Sequence, residues 1–168
     1  MIVRRFGEAD TGVLWALNAL PNIGETADPA VPIPLPAATE APAAFPDLAD
    51  VGACFLDVGG EFLVAELDGH IVGMGGYRPD TAGGAEVLRV RVHPAARRRG
   101  IGRQLMTALE RRAAGDGLGF LHLDTATNQP AAMAFYRSLG YRETGREHRP
   151  AWTWTLVYYV KTLPAPAG

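Results

Sequence analysis

Cys54 is the only cysteine among 168 residues, which excludes an intrachain disulfide and a cysteine-based metal cluster and points to a reducing cytoplasm. No apolar run approaches the roughly 18 residues that cross a bilayer, and the opening Met1-Ile-Val-Arg-Arg-Phe-Gly-Glu lacks the apolar stretch of a secretory signal. Charge of one sign is missing as well. Lys and Arg number 16 against 18 Asp and Glu, a formal net charge of −2, so the basic excess of a nucleic-acid binder is absent. Two nucleotide signatures are also lacking. No Gly-Lys precedes Ser or Thr, as a P-loop requires, and Gly100 and Gly102 are followed by Leu105 where the dinucleotide fingerprint needs a third glycine.

Glycine and proline are plentiful, and they punctuate the chain. The length suits one domain, residues 1–168, large enough to bury a core. Residues 2–6 are predicted as a strand, and 9–20 as a helix with Asp10 as N-cap and Val13, Leu14 and Leu17 on one face. Seven of the 13 prolines fall in residues 21–46, which excludes a central strand or a regular helix there. That stretch reads either as an irregular surface loop or as a lid over a second substrate. Residues 62–67 and 70–77 are strands joined by the hairpin pair Asp68-Gly69, and Gly73, Gly75 and Gly76 mark close packing or a bulge in the second.

A strand at residues 86–92 ends in His93-Pro94, and an arginine run then leads through Gly100 and Gly102 into a helix carrying Ile101, Leu105, Ala108 and Leu109 on one face. Gly115-Asp-Gly117 stops that helix. The strand at 120–124 follows a helix and is therefore expected to run parallel to its predecessor. Asn128 is the expected N-cap of the next helix, with Ala132, Phe135 and Leu139 as its apolar stripe and Gly140 as its stop. Residues 141–146 and 152–161 close the chain as an antiparallel pair. The Trp-rich last strand is expected to leave an apolar edge, a possible homodimer contact.

The strand, basic turn and glycines ahead of a helix form an anion site, because free amides and the helix dipole point outward there. Arg97-x-x-Gly100-x-Gly102 resembles the acyl-CoA pyrophosphate loop of the GCN5-related N-acetyltransferase (GNAT) family. A second motif, Asn128-x-x-Ala131-x-x-x-Phe135-Tyr136-x-x-x-Gly140-Tyr141, resembles that family's downstream signature, and residues 60–76 resemble its central hairpin. The resemblance covers roughly residues 55–145. It implies an α/β (α+β) fold: a central mixed, mostly antiparallel sheet with a parallel splayed strand pair, flanked by helices on both faces.

The resemblance also implies acetyl-CoA as donor, no metal, and direct transfer to a primary amine of a small molecule, an amino acid being one option. Amides around Arg98, Arg99, Gly100, Ile101, Gly102 and Arg103 would hold the pyrophosphate, with Arg97, Arg98 or Arg103 adding charge. Backbone groups of Val90 and Val92 would meet pantetheine and the thioester oxygen. Asn128 would cap its helix or touch CoA. Tyr136 is the implied acid for the departing thiolate, and Glu86 the implied general base, with His122 next in line. Strict alternation places Glu86, Leu88 and Val90 on one face and Arg89 and Arg91 on the other. A protein or peptide acceptor, and an acyl-CoA-binding module without catalysis, are the competing readings.

Overall fold

The computed structural model describes residues 1–20 and 27–165. Residues 21–26, the beginning of the proline-rich stretch, lie outside the described residues. Seven strands form one sheet: β1 (Ile2–Arg5), β2 (Glu61–Leu67), β3 (His70–Pro79), β4 (Ala85–Val92), β5 (Phe120–Ala126), β6 (Arg142–Glu147) and β7 (Leu156–Thr162). Their order is β1-β2-β3-β4-β5-β7-β6, and β4 with β5 is the parallel pair in an otherwise antiparallel sheet. Among the described residues three α-helices flank it: α1 (Thr11–Ala19), α2 (Ile101–Gly115) and α3 (Pro130–Ser138).

Alternation along the strands distributes apolar side chains to two cores. On β2, Leu63 and Ala65 join Leu105, Leu109 and Leu121 under α2, whereas Phe62 and Val64 join Leu14, Leu17 and Phe55 under α1. Each large side chain so buried contributes roughly 1.5–3 kcal/mol. Gly73 permits close approach of α2 to the sheet, since a Cβ there would fall 2.8 Å from Leu105 Cδ1 and 3.1 Å from Ile101 Cγ2. Asp68 and Gly69 both adopt positive φ, 51° and 81°, as the predicted hairpin requires.

Three expectations are corrected. Asp10 occupies the N-cap position of α1 but caps nothing there; its carboxylate instead accepts from Gly7 N at 2.8 Å and from Arg4 at 2.8 and 2.9 Å. The last strand begins at Leu156, leaving Trp152 and Trp154 outside it as a stacked pair 5.8 Å apart, with Arg149 over the Trp152 ring. Nor does that strand offer a free edge. β7 is hydrogen-bonded between β5 and β6, and the outer strand β6 carries Arg142, Glu143, Arg146 and Glu147, charges that discourage edge pairing.

The described part of the proline-rich stretch is irregular, as expected, but it is tied down. Ala38 N donates to Gly12 O and Asp28 N to Pro94 O, both at 2.9 Å, and Leu35 and Phe45 pack on the α1 core. His93, fully buried, accepts from Ala95 N through Nδ1 at 3.0 Å, which leaves Nε2 to donate to Pro32 O at 2.8 Å. Among the described residues, no helix is long and apolar enough to cross a membrane.

Candidate active site

β4 and β5 pair only at Ala85–Leu121 and Glu86–His122; beyond these they part, and β4 continues to Val92 while β5 continues to Ala126. The gap opens toward the carboxyl ends of a parallel pair, where ligands bind in open α/β sheets. A cleft of about 560 Å³ occupies it, walled on one side by residues 87–92, at the mouth by Arg97, Arg98, Gly100, Gly102 and Arg103, and across by Leu123, Asp124, Tyr136 and Phe135.

The direction of the β4 amides follows from one bond. His93 N donates to Val72 O at 2.7 Å, so it faces β3; the amides alternate along a strand, which turns Val92 N and Val90 N the opposite way, into the gap. Val90 and Val92 side chains pack in the α2 core, as the sequence reading required.

A bulge changes the rest of the strand. Met74 pairs with Arg91 but Gly76 with Leu88, so the register shifts between them, and Arg89 takes a positive φ of 60°. The extra residue breaks the expected alternation. Leu88 packs on the α1 core and Val90 on the α2 core, so Glu86, Leu88 and Arg91 share the α1 face rather than Glu86, Leu88 and Val90. Arg89 is pinned by Asp47, Nη2 to Oδ2 at 3.0 Å and Nε to Oδ1 at 3.1 Å, and its guanidinium lies over the Phe45 ring. Arg91 donates to Leu20 O at 3.0 Å, and burial and the nearby Arg89 and Arg97 lower its pKa.

The arginine loop delivers the anion site. Gly100 is the N-cap of α2 at φ 75°, in the left-handed region, a conformation that glycine adopts without strain. The first amides of α2 have no partner within the helix and open at the cleft mouth. A Cβ at Gly102 would lie 3.1 Å from Phe135 Cζ, so the cradle's width depends on that glycine. Arg97, Arg98 and Arg103 line the cleft, Ile101 contributes backbone while its side chain is core, and Arg99 is exposed outside the walls. These are the donors a pyrophosphate would need.

Tyr136 is buried on α3, edge-on to Tyr141 at 5.8 Å. Among the described residues its hydroxyl takes no hydrogen bond. Burial, reinforced by the charge of Asp124, pushes the phenol well above its ordinary range, so it stays protonated at neutral pH. Asp124 lines the cleft, and its carboxyl is held above the usual range by desolvation and by repulsion from Glu86.

Other sequence candidates fall elsewhere. Glu86 sits at the closed end of the gap and His122 beside it; neither is on the cleft walls, and His122 Nε2 is engaged by Asp80 at 2.9 Å. Asn128 is exposed one residue before the helix boundary: Gln129, not Asn128, is the N-cap of α3, and Gln129 lines the cleft. Pro130 at N1 fixes that start. The sequence reading missed Asp124 and Asn18, although the alternation of residues 120–124 puts Asp124 at the carboxyl end of a parallel strand.

Residues 30–141 match the Acetyltransferase (GNAT) family. An IAA acetyltransferase of Azospirillum brasilense is 42% identical over 85 residues, 50% of this chain and 56% of that protein. Human N-acetyltransferase 8 is 30% identical over 129 residues, 71% of this chain and 57% of that protein. The chain thus spans little more than half the length of these curated relatives. The structure of yncA from Salmonella typhimurium with its cofactor acetyl-CoA superposes with a TM-score of 0.71 at 19% identity, over 99% of this chain and 96% of that one. A splayed parallel pair, an arginine-glycine loop opening a helix and a match over two thirds of the sequence lead to one assignment: the chain belongs to the GNAT family of acetyltransferases.

Proposed function

We propose that the protein transfers an acetyl group from acetyl-CoA to a primary amine of a small molecule, by direct attack in a ternary complex. The observation that carries this reading is the continuity of one cleft from the arginine loop, past Val92, to the Tyr136 hydroxyl and Asp124. Acetyl-CoA supplies a thioester whose acetyl carbon the amine attacks. The chain supplies the rest. Arg97, Arg98, Arg103 and the α2 amides neutralise the pyrophosphate, and Val92 N donates to the thioester oxygen as negative charge develops on it. Tyr136 protonates the departing sulfur.

Glu86, at the closed end of the gap rather than on the cleft walls, is the base of this reading and would receive the amine's proton through a water relay. An alkyl ammonium has a pKa near 10.4, so roughly one molecule in a few thousand is neutral at pH 7, and a proton acceptor is required. An amino acid suits the cleft: Arg91 lines it half-buried and, among the described residues, has no carboxylate partner. Release of CoA thiol from acetyl-CoA in a screen of amines and amino acids tests this, with N-acetyl product identified by mass. Release that never depends on an amine sinks it.

A further inference from the structure

The aim of Tyr136 is set by its surroundings. Its hydroxyl takes no hydrogen bond among the described residues, and the residue lies in the last turn of α3, where a helix has least support from its own bonds. Tyr141 supplies that support twice. Its N–H donates to Tyr136 O at 3.1 Å while Gly140 N donates to Arg137 O at 3.0 Å, the paired bonds of a Schellman cap around Gly140 at φ 95°. Its buried ring also meets the Tyr136 ring edge to face, with centroids 5.8 Å apart at 71°. Whatever fixes Tyr141 therefore fixes both the backbone and the ring of Tyr136.

An ion pair between two other elements holds Tyr141 at its far end. Lys161 Nζ, from β7, donates to Glu110 Oε1, from α2, at 2.6 Å, and the Tyr141 hydroxyl lies 3.4 Å from Glu110 Oε2. Burial, then the charge of Glu110, raises the Tyr141 phenol above its ordinary range, so it keeps the proton that faces the carboxylate. Lys161 Nζ also stands 5.8 Å from the centre of the Tyr141 ring, and a Cβ at Gly140 would lie 3.6 Å from Lys161 Cε, so the lysine stem covers the cap of α3. Lys161 is the only lysine of the chain; a compact ammonium suits one carboxylate oxygen and an aromatic face together. The side chains of Glu110 and Lys161 are 16% and 28% exposed, which limits screening of the pair by salt. We propose that Glu110 and Lys161 are positioning residues for the transfer step. Through Tyr141 they fix the Tyr136 ring against α2, the helix whose first amides open at the cleft mouth, and so set the acid's place relative to the donor's sulfur. Neither lines the cleft. The inference rests on the N-acetyltransferase reading with Tyr136 as the acid.

A double-mutant cycle with the best amine of the screen tests it. Lys161→Met keeps the stem and removes the charge; it is expected to lower kcat about three- to tenfold and leave KM for acetyl-CoA within about twofold. In the Tyr136→Phe background, where no acid is left to aim, the same substitution should change kcat by less than about twofold. A merely structural role lowers kcat equally in both backgrounds, and that result, or no loss in the wild-type background, overturns the inference. Where Lys161→Met does not fold, Glu110→Gln, nearly isosteric, carries the same test with a loss of about two- to fivefold. Where Tyr136→Phe is as active as wild type, Tyr136 is not the acid and the inference falls with it. Where the wild type turns over no amine, the transferase reading fails alone, and fluorine NMR of protein labelled with 3-fluorotyrosine decides the rest. The Tyr136 resonance, assigned by its loss in Tyr136→Phe, shifts or broadens in Lys161→Met if the pair holds the ring; an unchanged resonance overturns the inference.

Discussion

The charge of Asp124 adds to burial in holding the Tyr136 phenol above its ordinary range. A hydroxyl so placed, facing a cleft and taking no hydrogen bond among the described residues, is a proton donor and a poor base. Tyr136→Phe is therefore expected to lower kcat more than KM for acetyl-CoA. The loss is about 10- to 100-fold, because a thiol with a pKa near 8.5 already makes a tolerable leaving group. Because the folded pKa is raised, wild-type kcat should show no alkaline loss from this residue below about pH 10. Unchanged kcat in the variant removes Tyr136 from the chemistry.

Asp47 fixes the β4 bulge from outside the sheet. It is buried and holds the half-buried Arg89 through both oxygens, with Arg78 at 3.8 Å. Asp47→Ala strands that guanidinium, and a loss of about 2–3 kcal/mol is expected, read as a lower denaturant midpoint. The bulge also aims Arg91 and Val92, so kcat should fall with it. A midpoint unchanged from wild type contradicts this role.

At the far edge, Asp10 is held below the usual carboxylate range by Arg4 and by the Gly7 amide. Its folded pKa lies below the unfolded one, so the ion pair stabilises fully above about pH 4 and is lost as pH falls through the folded value. Asp10→Asn should lower Tm at pH 7, and the gap to wild type should close in strongly acidic buffer. A gap independent of pH contradicts the assignment.

Arg91 is predicted to read an acceptor carboxylate. Arg91→Ala should raise KM for an amino acid about tenfold or more and barely alter KM for the corresponding decarboxylated amine. Equal effects on both place Arg91 outside acceptor recognition.

Much of this fold was legible in the residues. Asp68-Gly69 turned where its φ preferences required, and Gly117 at φ 83° ended α2, with Gly117 N donating to Ala114 O and Leu118 N to Ala113 O. The arginine loop's neighbours also fell together, since a single strand-turn-helix unit builds that half of the cleft. The other half of the cleft comes from α1, β5 and the residues around Phe45, which are distant in sequence, and no local pattern joins Asn18 to Asp124. Alternation failed at Arg89 because a bulge inserts a residue without a composition signal. The Trp-rich segment alternated like a strand but pairs indole to indole outside the sheet.

The most direct test of direct transfer within this cleft is an initial-rate matrix in which acetyl-CoA and the amine are both varied. The account predicts CoA release only when both are present, with double-reciprocal lines that intersect, as for two substrates bound together. Parallel lines, or release of CoA with acetyl transferred to the protein before any amine is added, would contradict it.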